Sequence, residues 1–168
     1  MRKNILDTKR MVTISALVAL AMILSYIEFL LPISTVIPGV KIGLSNIATV
    51  FALYTLGWPY AIFVSIIRVF LSSLIFGSFI SFVYSLSGAA LALVVMILLK
   101  KTNLFSSIGV SVAGGVSHNA GQIIAACIVM KSAEISLYFI PLVISGTISG
   151  IFIGLVSGML VKKIEKFI

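Results

Sequence analysis

Arg68 is the only charged residue among the 42 positions from Trp58 to Leu99. That stretch is long enough for two membrane crossings, and Arg68 falls near the centre of the first. A guanidinium at that depth costs at least about 2.5–3.5 kcal/mol on insertion scales. Residues of this kind face a polar cavity or a partner, so the chemistry expected of Arg68 is the binding of an anion or a polar head. The plainer alternative pairs it with a helix-end carbonyl or with Glu28.

A second polar group lies in the segment GGVSHNAGQ, residues 114–122. On a helix Ser111, Gly115, His118 and Gln122 share one face, with Asn119 beside them. The flanking glycines let a backbone or a ligand approach closely. Such side chains either hold a ligand through directional hydrogen bonds or glue helices together, at about 0.6–2 kcal/mol each. Lys41, with Ser45 and Asn46, forms a third group at the start of an apolar segment. Lys41 either closes over a ligand from outside or snorkels as an anchor. Glu28 stands near the outer end of the first apolar run. It either rests in the headgroup layer or pairs with Arg68 or Lys41. Tyr84 and Trp58 are weaker candidates for flanking a ring or chain.

Other chemistries find no support. Only four acids occur, Asp7, Glu28, Glu134 and Glu165, and the single cysteine, Cys127, cannot form a disulfide within the chain. No acid or cysteine joins His118 as a metal set, no Ser/His/acid triad is credible, and no aspartate pair could hold magnesium diphosphate. No Walker A loop is present, so the chain cannot drive transport with ATP alone. The reading is therefore of a binding protein with no catalytic residues, no metal and no cofactor.

The elements that must position these residues are membrane helices. Of 168 residues, 61% are hydrophobic and 10% charged, with mean hydropathy +1.28. A soluble domain carries about 25% charged residues, so this chain belongs in a lipid bilayer, as one integral membrane domain over residues 1–168. The net charge of +8 does not signal nucleic acid, because the basic residues cluster at the ends of apolar runs, where they set topology.

Six crossings are expected, at Met11–Leu31, Ser45–Leu56, Pro59–Phe76, Phe79–Leu99, Ser106–Met130 and Tyr138–Val161. The first run is too long for a signal-peptide core and is read as a retained helix. With both termini cytoplasmic, the inner segments carry nine basic residues and the outer ones only Lys41 and Lys131, a clear positive-inside bias. The segment Pro32–Leu44 becomes an apolar outer loop after helix 1, either interfacial or dipping among the helices. Gly146, Gly150, Gly154 and Gly158 form a ridge for close packing, inside the bundle or against a membrane partner.

Three stretches together resemble a known group. They are the run from Leu31-Pro32 through Pro38-Gly39-Val40-Lys41-Ile42-Gly43-Leu44-Ser45-Asn46-Ile47, the run from Ile67-Arg68-Val69-Phe70 through Phe82-Val83-Tyr84-Ser85-Leu86-Ser87-Gly88, and His118-Asn119-Ala120-Gly121-Gln122. They resemble the Gx transporter family, often labelled heptaprenyl diphosphate synthase component I, from about Met11 to Val161. That family is similar to the substrate-binding S components of energy-coupling factor (ECF) transporters. The resemblance implies a six-helix, S-component-like bundle in the cytoplasmic membrane. It implies a small-molecule ligand under the loop after helix 1, and a separate transmembrane coupling protein with two ATPases. The ligand would be a vitamin-, flavin-, quinone- or isoprenoid-type precursor. Arg68, Lys41, His118, Asn119, Gln122 and Asn46 would be its contacts. Ser15 and Ala19 only approximate the small-residue spacing with which S components dock. The alternative is a non-catalytic accessory subunit of a polyprenyl diphosphate synthase or of a flavin- or quinone-linked redox system. A purely structural scaffold is a third possibility.

Overall fold

The computed structural model describes residues 2–31 and 43–165, with side chains over 8–31 and 43–164. The outer loop expected at Pro32–Leu44, with Lys41 in it, lies outside the described residues apart from Gly43 and Leu44. The described residues are helical, with no strand among them. The helices are α1 (Arg2–Leu30), α2 (Asn46–Thr55), α3 (Trp58–Phe76), α4 (Phe79–Thr102), α5 (Ser107–Met130) and α6 (Phe139–Glu165). A 3-10 turn, Ala133–Tyr138, leads into α6.

Helix is the form such a sequence must take in lipid, because every backbone polar group then finds a partner within its own segment. Local chemistry sets the ends. Gly57, at φ 98°, makes the turn before α3, and a proline occupies its first positions, a place where its missing N–H costs nothing. Ser78 and Ser106 cap α4 and α5, accepting the N–H groups of Ser81 and Gly109 at 3.2 and 3.3 Å. Asn103 ends α4 in the left-handed region.

Among the described residues, five helices are long and apolar enough to cross a membrane. The segment expected to run Ser45–Leu56 is a helix of 10 residues, about 15 Å long at 1.5 Å per residue. That is half of the roughly 30 Å hydrocarbon core. Contacts nonetheless show the chain returning along the bundle at this point. Tyr26 and Phe29, near the end of α1, lie against Phe76 at the end of α3, with ring centroids 5.6 and 5.4 Å apart. The chain must then come back to Trp58 before α3 can begin, a span of about 28 Å for its 19 residues. α2 forms part of that return.

The remaining helices alternate in direction. Phe70 of α3 meets Phe82 of α4 edge-on at 6.1 Å across the Gly77-Ser78 connection. Gly88 and Met96 of α4 lie against His118 and Gly114 of α5, and Gly115 and Ile108 of α5 lie against Gly146 and Gly154 of α6. The start of α1 and the end of α6 therefore fall at the same end of the bundle. Large apolar side chains such as Phe63, Ile66, Leu74, Ile128 and Ile148 are exposed, a surface suited to a lipid bilayer. The most enclosed element is α2, seven of whose ten residues are buried. It packs with Leu17 and Ala21 of α1, Val64 of α3, Met96 of α4 and Ile153 of α6 in one apolar core.

The α6 glycine ridge packs inside the bundle. A Cβ on Gly150 would stand 2.6 Å from Val112 Cα, one on Gly154 2.6 Å from Ile108 Cα, and one on Gly146 3.0 Å from the Gly115 carbonyl. Backbone touches backbone along this seam, so even one added methyl group meets an atom that cannot rotate away.

Candidate functional site

Arg68 stands about 15 Å along α3 from its start and about 12 Å from its end, at 1.5 Å per residue. Its side chain is 8% exposed, so the guanidinium turns into the protein and away from lipid. Its Nη1 donates a 2.6 Å hydrogen bond to Ser45 Oγ at the mouth of α2. Its Nε is buried with no hydrogen-bond partner. Ser45 is the N-cap of α2, yet its hydroxyl makes no cap bond. That oxygen, which would ordinarily accept from the first turn of the helix, instead receives the guanidinium.

Glu28 reaches the same neighbourhood from α1. Its Oε1 accepts the N–H of Gly43 at 2.6 Å, and its charge acts on Arg68 attractively. Among the described residues Glu28 makes no ion pair with Arg68, Lys41 lies outside them, and the contact observed is with backbone. Gly43, at φ 72°, holds a conformation that favours glycine, and its carbonyl accepts the N–H of Asn46 at 2.8 Å. Asn46 is the half-buried first residue of α2. Arg68 and the start of α2, 23 residues apart in sequence, thus meet through Ser45.

The polar residues of α5 divide between two neighbours. His118 and Gln122 flank Gly88 of α4, where an added Cβ would lie 2.7 Å from the His118 carbonyl and 2.9 Å from Gln122 Cγ. Asn119 points to the other side. Its Nδ2 donates a 2.6 Å hydrogen bond to the Leu142 carbonyl of α6 and would meet a Cβ on Gly146 at 2.8 Å. One residue turns a helix by about 100°, which is why two sequence neighbours face different helices. Ser111, on the expected face, is buried against α6, 3.0 Å from a Cβ built on Gly154, and its hydroxyl has no partner.

Two residues were undervalued by sequence reasoning. Ser45 is the link between Arg68 and α2; its position just before a helix start was the available signal. Lys100 of α4 donates to the Leu53 carbonyl in the last turn of α2 and lies 4.9 Å from the Tyr54 ring centroid. The short helix is thus held by a cation at each end. Nothing in the spacing of positions 53 and 100 announces that contact.

These elements define a multi-pass helical membrane protein with an arginine enclosed against the start of a half-length helix. The chain belongs to the heptaprenyl diphosphate synthase component I family, whose model matches residues 17–160. The matched span includes Lys41, Asn46, Arg68, His118, Asn119 and Gln122. No match was found among curated proteins or solved structures.

Proposed function

We propose that this protein is an S-component-like membrane subunit that binds a small molecule and helps move it across the cytoplasmic membrane. The supporting observation is Arg68, enclosed near the middle of α3. A bundle that needed only to be stable would gain nothing from it, since buried charge is expensive and well-packed apolar residues do better. Arg68, with Lys41, holds an anionic or strongly polar group of the ligand. His118 and Gln122 give directional hydrogen bonds, and Asn46 joins from α2. The bundle makes six passes, the second of them partly through α2, and both termini are cytoplasmic. The ligand is a vitamin-, flavin-, quinone- or isoprenoid-type precursor. An ECF-type coupling protein and its ATPases supply the energy.

The family's description favours a second reading, in which the chain is a non-catalytic accessory subunit of a polyprenyl diphosphate synthase. Gentle extraction followed by native mass spectrometry and identification of copurifying proteins separates the two. The transport reading expects a retained small molecule and a transmembrane coupling protein. A soluble synthase recovered with a ligand-free chain would favour the accessory role. If Arg68→Ala and His118→Ala left every activity intact, the protein would be a scaffold.

A further inference from the structure

The buried guanidinium is incompletely satisfied in a specific way. It offers five N–H donors in a planar fork. Nη1 is spent on Ser45 Oγ. The opposite edge, formed by Nε and Nη2, makes no hydrogen bond among the described residues, and Nε is fully enclosed. That edge is the one that receives two oxygens of a carboxylate or phosphate side by side. Arg68 is more than nine-tenths buried, so bulk water does not solvate the edge as it would on a surface.

The surroundings add positive potential. Ser45 is the N-cap of α2, and a helix N-terminus carries about half an elementary charge of positive sign. Arg68 and that terminus therefore converge on the same serine. Glu28 is the acid that acts on Arg68, but among the described residues the two make no ion pair, and Glu28 Oε1 is already held by the Gly43 N–H. Two positive elements thus face each other without a contact anion, in a place where a lone charge is costly.

We infer that the Nε–Nη2 edge of Arg68, beside the N-terminus of α2, is the seat of an oxyanion, a carboxylate or phosphate group. Ser45 is a positioning residue that fixes the guanidinium by its other edge. This assignment rests on the reading that the bundle binds a small molecule, and it names the group by which that molecule is held. Glu28 competes for the same cation, so the seat is strengthened when that carboxylate is neutralised.

The full chain in phosphatidylcholine nanodiscs is titrated with inorganic phosphate, with acetate and with uncharged acetamide, reading calorimetric binding and melting temperature. Saturable binding of phosphate or acetate, but not acetamide, is expected. Arg68→Lys keeps a charge but loses the fork, and should weaken the anion about tenfold or more. Ser45→Ala should weaken it by a smaller factor, and Glu28→Gln should leave it unchanged or tighter. Equal binding by wild type and Arg68→Lys, or no saturable binding by any anion, would overturn the seat. If Arg68→Lys fails to fold, unchanged affinity in Ser45→Ala does the same. Adding phosphatidylglycerol separates the sources: competition with phosphate assigns the seat to a lipid headgroup, and none assigns it to a free ligand. A retained neutral molecule whose binding survives Arg68→Lys would sink the oxyanion seat and leave the transport reading standing. Saturable phosphate binding by a chain that retains no molecule and copurifies with a synthase would do the reverse.

Discussion

Asn119 and Arg68 are both buried and polar, but their energetics differ. Asn119 gives one hydrogen bond across a helix seam, to the Leu142 carbonyl. Bonds of that kind inside membranes average about 0.6 kcal/mol and reach about 1.7. Asn119→Ala should therefore destabilise by about 1 kcal/mol in reversible unfolding from mixed micelles. Arg68 has one hydrogen bond and an unpartnered Nε, and a buried charge without a contact counter-ion is a net cost. Arg68→Met, similar in length and apolar, should be neutral or stabilising by about 1–4 kcal/mol in the same assay. A large loss of stability would instead mark Arg68 as a structural residue, and the case for a binding role would weaken with it.

The seams between helices are decided at backbone level. On α6 the ridge at Gly150 leaves 2.6 Å between a built Cβ and Val112 Cα. Gly150→Ala should separate α5 from α6 and cost about 1–3 kcal/mol. Gly109 is a control on α5, since its nearest obstacle is the Phe105 side chain at 3.5 Å. Gly109→Ala should be neutral or gain up to about 1 kcal/mol from helix propensity. α2 depends on its ends. Lys100→Met removes a charged hydrogen bond to the Leu53 carbonyl and a contact with the Tyr54 ring. The expected loss is about 1–3 kcal/mol, accompanied by faster amide exchange in α2 than in α5.

Across the whole molecule, the alternation of α3 to α6 puts the end of α4 and the end of α6 together. Lys101 and Lys163 are exposed at those ends, whereas Lys131 follows α5 at the opposite one. In a Cys127→Ser background, Lys101→Cys and Lys163→Cys should react with a membrane-impermeant maleimide only after cells are opened. Lys131→Cys should react from outside intact cells. Labelling of Lys101→Cys and Lys163→Cys from opposite sides would break the paired-end arrangement. Labelling of both from outside would invert the proposed orientation.

Composition and spacing determined that the chain lives in a bilayer, where its long helices run, and that a glycine ridge at residues 146–158 makes a close seam. Those properties are local: they follow from runs of apolar residues, from breakers such as Gly57 and Gly77, and from a four-residue period. The sequence also singled out Arg68 by its cost alone. The second apolar segment, Ser45–Leu56, is short already in the sequence; the tertiary structure decided that its helix runs Asn46–Thr55 and that it is enclosed in the apolar core. It decided too that Arg68 meets Ser45, that Lys100 meets Leu53, and that His118 and Asn119 part company. Each of those depends on how one helix is rotated against another, and rotation is set by the packing of both surfaces at once. A pattern read along a single segment does not contain it.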